Sequence, residues 1–182
     1  MLPAEHRMKR TFASLDPEEA LHVAIFIEER NAEIYQRFAE MFVEFCDRDS
    51  LEIASVFWDM AVEEKHHSSL LQSRYMERYG TANCSLTEEN LADFIEVPKL
   101  EDGDVFAPVR EGERSRARER ALQVVLTAEQ SAQRFYAELV DKTPDGTLRK
   151  VYQELAILED DHVGYIQRKL SPHAGVARPE DA

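Results

Sequence analysis

Glycine and proline are scarce in this chain of 182 residues, at 6 and 7. That argues against a fold built on many tight turns and favours long helices. Cysteine is nearly absent. Cys46 and Cys84 are the 2 in the sequence, and they form no CxxC pair. A zinc ribbon or a four-cysteine iron centre therefore cannot be built within the chain, and both thiols are expected to stay reduced. No apolar run approaches the roughly 18 residues of a transmembrane helix, so no membrane association is expected. The stretch Met1 to Phe12 is basic but lacks the apolar core of a signal peptide, so a cytoplasmic location is the expectation. Positive charge is also in deficit. Lys and Arg number 22 against 36 Asp and Glu, for a net charge of −14. Such a surface repels phosphate and excludes nucleic acid as a natural partner.

What is present is an ordinary soluble-domain composition, 43% hydrophobic and 32% charged, long enough for one sizeable core. The periodicity predicts four helices. Asp16-Pro17-Glu18-Glu19 marks the first start: an N-cap, a proline at N1 and acids in the first turn. Its apolar stripe is Leu21, Ala24, Ile25, Ala32, Tyr35, Phe38, Ala39 and Phe42, with Glu28 inside it, and it ends near Cys46. Asp49-Ser50 is read as the cap of a second helix, about residues 51–79, with Ile53, Phe57, Met60 and Leu71 in phase and Gly80 as its stop. Trp58 lies off that stripe and is assigned to a contact with another element or a second subunit. Residues 80–111 break the pattern, apart from a short amphipathic segment at Thr87 to Ile95. A third helix follows from about Arg114 to Asp141, and its alternating arginines read as a solvated start in preference to a partner-docking patch. The fourth runs from about Thr147 to Leu170. The expected fold is an all-α bundle of four helices with one long crossover between helices 2 and 3. The chain divides into an arm at 1–15, the bundle at 16–170 and a flexible tail at 171–182.

The apolar faces carry groups that do not belong in a core. Glu64 and His67 are three residues apart, in phase with Phe57, Met60 and Leu71. Glu159 and His162 repeat the arrangement, in phase with Leu155 and Ile166. Positions i and i+3 share a helix face, and a buried charge is costly unless it is paired or binds metal. The rival register, Glu63 with His66, falls on the mixed face of Val56, Asp59 and Leu70. Each of the two Glu-x-x-His helices follows a helix with a Glu seven residues before a Tyr: Glu28 with Tyr35, and Glu129 with Tyr136. The chain is thus an internal repeat of two helix pairs.

A pair of metal ions inside a four-helix bundle needs one Glu from each of two helices and a Glu-x-x-His from each of the other two. Glu28, Glu64, His67, Glu129, Glu159 and His162 supply that set. Four carboxylates offset the charge of two divalent cations. Oxygen-rich sites with imidazole suit iron or manganese, and zinc also binds them. The bland alternative is a metal-free bundle that keeps these residues by chance. His6, His22, His66 and His173 read as surface residues, and Met41 and Met60 as packing.

The segments Glu28-Glu29-Arg30-Asn31-Ala32-Glu33-Ile34-Tyr35, Glu64-Lys65-His66-His67, Glu129-Gln130-Ser131-Ala132-Gln133-Arg134-Phe135-Tyr136 and Glu159-Asp160-Asp161-His162 resemble the di-iron motifs of the rubrerythrin family, within the ferritin-like superfamily. The resemblance covers about residues 16–170. It implies a ferritin-like four-helix bundle around two iron ions bridged by carboxylates, reducing hydrogen peroxide or O₂ as an oxidoreductase of oxidative stress, in a homodimer. Tyr35 and Tyr136, about 20° around the helix from Glu28 and Glu129, either hydrogen-bond ligand glutamates across the bundle or are plain core aromatics. Two departures from the family pattern stand out. The four-cysteine rubredoxin-like domain has no counterpart here, so electrons would come from a separate donor protein such as a rubredoxin. Many members also place a further Glu where this chain has Ala132, which leaves room for a ferroxidase or iron-handling role instead.

Overall fold

The computed structural model describes residues 15–80 and 109–171. Among them are four long helices and no strand: α1 (Pro17–Phe45), α2 (Arg48–Tyr79), α3 (Arg114–Lys142) and α4 (Gly146–Leu170). A single 3₁₀ turn, Glu111–Glu113, leads into α3. Residues 1–14 of the expected arm, the segment Thr87 to Ile95, Cys84 and residues 172–182 of the expected tail lie outside the described residues.

Local chemistry fixes the helix starts. The Asp16 carboxylate accepts from the backbone N–H groups of Glu18 and Glu19 at 2.9 and 2.8 Å. The Glu19 carboxylate accepts from Asp16 N–H at 3.1 Å, closing a capping box. α1 ends where Cys46 turns left-handed, at φ 57°. This reversal brings Asp47 into the cap position of α2, where its carboxylate accepts from Ser50 N–H at 3.0 Å. The expected cap at Asp49-Ser50 is corrected accordingly: α2 starts at Arg48 and Asp49 lies in its first turn. α4 starts one residue earlier than expected, at Gly146, because Asp145 accepts from both Thr147 and Leu148 N–H groups at 2.9 Å.

Contacts at the two ends of the bundle set the topology. At one end, Arg118 near the start of α3 donates to Asp47 and Ser50 at the start of α2. Lys169, near the end of α4, pairs with Glu52 at that end. At the other end, Arg78 near the end of α2 pairs with Asp145 between α3 and α4 at 2.7 Å. So α1 and α2 form one antiparallel hairpin and α3 and α4 another, and α2 runs parallel to α3. The end of α2 and the start of α3 therefore lie at opposite ends of the bundle, the arrangement of a ferritin-like bundle with one long crossover. The arginine-rich start of α3 is only partly solvated. Arg118 makes these contacts, and the Arg114 guanidinium sits 5.6 Å over the Phe45 ring.

The core falls into two apolar clusters, one toward each end. The first gathers Leu21, Ile27, Leu71, Phe135, Tyr136 and Leu155. The second gathers Tyr35, Phe38, Phe42, Phe57, Val125 and Ile166. The residue numbers step across a gap in every helix, and the gaps hold Glu28, Glu64, His67, Glu129, Glu159 and His162. α1 is buried over a wider arc than one stripe, since Val23, Ile27 and Ile34 are also sequestered. It packs against both α2 and α3.

Candidate metal centre

Each helix delivers its polar groups to the middle layer because the apolar residues on either side of them are locked in the two clusters. Glu28, Glu64, Glu129 and Glu159 are fully buried, and His67 and His162 are 7% and 9% exposed. The register of α2 is settled by burial. Glu64 and His67 face the core, whereas Glu63 and His66 are exposed.

The donor atoms form two groups that share members. Glu28, Glu64, His67 and Glu159 present ligand atoms within 4.8 Å of one another, and so do Glu64, Glu129, Glu159 and His162. Glu64 and Glu159 belong to both groups, as two bridging carboxylates would. Glu28 with His67 belongs to one alone, and Glu129 with His162 to the other. An approximate two-fold axis therefore exchanges the two halves of the repeat.

The imidazoles turn Nδ1 inward. His67 Nδ1 lies 3.2 Å from Glu28 Oε2 and 3.1 Å from Glu64 Oε2. His162 Nδ1 lies 3.3 Å from Glu64 Oε1, 3.5 Å from Glu129 Oε2 and 3.9 Å from Glu159 Oε2. These last three contacts attract by charge but lack hydrogen-bond alignment. As a result His162 Nδ1, Glu64 Oε1, Glu129 Oε2 and both oxygens of Glu159 have no hydrogen-bond partner among the described residues. Buried polar atoms in native proteins are otherwise almost always satisfied. A cluster of orphaned carboxylate oxygens and an imidazole nitrogen, all facing one another, fits cations bound between them.

The tyrosines reach across the axis. Tyr35 OH donates to Glu129 and Tyr136 OH donates to Glu28, each by a very short contact. Both rings are fully buried. Burial, with the nearby glutamates, pushes both phenols well above their ordinary range, so the hydroxyls keep their protons as donors.

Without metal, the cluster holds itself together with protons. Burial and then the Glu64 charge raise Glu28 well above the carboxylate range. Burial and the charges of Glu129 and Glu64 do the same to Glu159. Burial also opposes the Glu64 anion, but the neighbouring Glu28 carboxyl and the His162 and His67 imidazoles outweigh it and hold Glu64 at about 2. Burial disfavours the imidazolium form of both histidines. Carboxylate partners overcome it and raise His67 to about 10 and His162 to about 11.

Two side chains near the centre have roles that the sequence pattern does not assign: Glu63 enters it only as part of the rival register with His66, and Asn31 is given no role. Glu63 Oε2 lies 2.9 Å from His162 Nε2, on the outer side of the ring. Asn31, one turn beyond Glu28, is 2% exposed, and its Nδ2 has no partner among the described residues. A buried amide in phase with Glu28 and Tyr35 was the available signal for Asn31. For Glu63 the signal was its place in the repeat, opposite Leu158.

Comparison with known proteins agrees with this architecture. Among curated proteins none matches the chain. A solved hypothetical protein from Pyrococcus furiosus superimposes with a TM-score of 0.69 at 23% identity, over 87% of this chain and 90% of its own, which shows a shared fold. The family model described as rubrerythrin matches residues 19–119, more than half of the sequence, including all but the first two residues of α1, all of α2 and the start of α3. With the buried acid and histidine layer where such a bundle carries its donors, that match places the chain in the rubrerythrin family.

Proposed function

We propose that the chain is a di-iron redox protein of rubrerythrin type that reduces hydrogen peroxide or O₂. The observation that carries this reading is the pair of overlapping donor groups, six buried side chains in two-fold array. Glu28 and His67 would hold one iron, Glu129 and His162 the other, and Glu64 and Glu159 would be shared between them. Bound ferrous ions would each supply one electron, so that one peroxide with two protons leaves as two waters.

The chain's own groups prepare that chemistry. Tyr35 and Tyr136 fix the orientation of Glu129 and Glu28 by donating to one oxygen of each, so that the other oxygen faces His162 Nδ1 and His67 Nδ1 respectively. The aromatic layer of Phe57, stacked on Tyr35 at 6.1 Å, excludes bulk water from one side. Tyr136 and Tyr152, stacked at 6.0 Å, do so from the other. Electrons would come from a separate donor protein such as a rubredoxin. A homodimer would cover exposed Trp58 and Val62, one turn apart on α2.

The test is to load the protein with ferrous iron anaerobically and follow absorbance after adding peroxide or O₂. Oxidation at two irons per chain, faster than free iron, is expected. A rate no greater than that of free iron would end the proposal. A second reading, ferroxidase or iron handling, is favoured by Ala132, a fully buried methyl group where many relatives carry a further carboxylate. Rapid reaction with O₂ but not peroxide, together with a 24-subunit cage on size-exclusion chromatography, would establish it over the first.

A further inference from the structure

The two halves of the centre match in their donors but not in what stands behind them. The two-fold axis exchanges Glu28 with Glu129, Glu64 with Glu159, His67 with His162 and Tyr35 with Tyr136. The same operation carries Glu63, the residue before Glu64, onto Leu158, the residue before Glu159. Glu63 places a carboxylate oxygen 2.9 Å from His162 Nε2. Leu158, 38% exposed, offers no acceptor at the corresponding place. In keeping with this, the hydrogen bonds of His67 among the described residues all run through Nδ1.

The difference has a chemical consequence. An imidazole that donates Nε2–H to a carboxylate is fixed in tautomer and ring angle, and its other nitrogen becomes a better metal donor. His162 is arranged this way, with Nδ1 turned into the orphaned carboxylates and Nε2 bound on the outside. An exposed ion pair contributes little by itself, and the Glu63 side chain is 56% exposed. What sets this pair apart is that the ring it grips is buried and points its second nitrogen at the donor cluster.

We propose that Glu63 is a positioning residue for His162 and makes the two metal positions unequal, so that the one held by Glu129 and His162 binds its ion more tightly than the one held by Glu28 and His67. This rests on the two-metal reading above and adds an order of loading to it.

The experiment is a titration of chelator-treated, full-length protein with Co²⁺, read by calorimetry and by the visible absorption of bound cobalt. Wild type is expected to take two ions per chain with unequal affinities. Glu63→Ala should weaken the tighter position by roughly 10-fold, the lower end of what such outer carboxylates contribute, and leave the weaker one unchanged. Glu63→Gln keeps a neutral acceptor and should recover part of the loss. Leu158→Glu should tighten the weaker position and bring the two constants together. In the Zn²⁺-loaded protein, a slowly exchanging downfield Nε2–H resonance from His162 should be present in wild type and absent in Glu63→Ala. Two unchanged constants in Glu63→Ala, or both lowered equally, would overturn the inference while leaving the two-metal centre standing. Uptake of fewer than two ions by wild type would overturn both.

Discussion

Tyr35 and Tyr136 show how one atom decides a role. Each ring fills a core position that Phe would fill as well, yet each hydroxyl lands on a glutamate of the opposite helix pair. Replacing Tyr136 with Phe keeps the packing and leaves Glu28 Oε1 buried without its donor. An abandoned buried acceptor costs about 1–3 kcal/mol. Tyr136→Phe should lower the stability of the metal-free protein by that order, and Tyr35→Phe should match it through Glu129. The check is a urea midpoint that falls at unchanged slope; a midpoint equal to wild type would reduce both residues to packing. At this scale the sequence was legible where phase alone decides. It separated buried Glu64 and His67 from exposed Glu63 and His66, because the apolar neighbours share one helix face. It was silent on Glu63 gripping His162, 99 residues away, since that contact depends on how α2 lies against α4. It also left the tyrosines open between two readings, because the period locates a side chain without saying what its tip meets.

The helices were legible in number and approximate length because each carries an apolar stripe of one period and most carry a capping acid. The first turn of α2 was misread for a local reason. Asp47 and Asp49 are two residues apart, both are good caps, and sequence alone ranks neither. The left-handed turn at Cys46 chooses Asp47 by placing its carboxylate over the Ser50 N–H. Asp47 has a second task, accepting from Arg118 at 2.8 Å and so tying the start of α3 to the α1–α2 turn. Asp47→Ala should therefore lower the thermal midpoint by about 2–4 °C, the shift a lost cap makes in a chain of this length. Asp49→Ala, which removes an acid from the first turn but no cap, should shift it less. Equal shifts in scanning calorimetry would reassign the cap. The breadth of α1 escaped a single-stripe reading for a similar reason: a stripe shows that a helix has a buried side, not that it has two neighbours.

On the scale of the whole molecule, folding, protons and metal are coupled through the middle layer. Four of its groups, Glu28, Glu159, His67 and His162, have folded values raised above their ordinary ones. A raised group stabilises the fold below its ordinary value and loses that contribution as pH climbs through the folded one. For the histidines that window opens near 6.5 and runs to about 10 and about 11. Glu64 works in the opposite sense: its contribution is full above 4.5 and is lost as pH falls toward about 2. The metal-free protein should thus be most stable in weak acid and should lose melting temperature steadily into the alkaline range. Cations bound among the same atoms replace the protons, so the loaded protein should hold its midpoint there. The gap between loaded and chelated melting temperatures should widen between about pH 6 and pH 9. Loading near neutrality should release as many as four protons, two from the raised glutamates and two from the histidines. Scanning calorimetry across that range and a pH-indicator titration in weak buffer measure both. A gap that stays constant, with no proton released, would mean that the ions bind somewhere other than this layer.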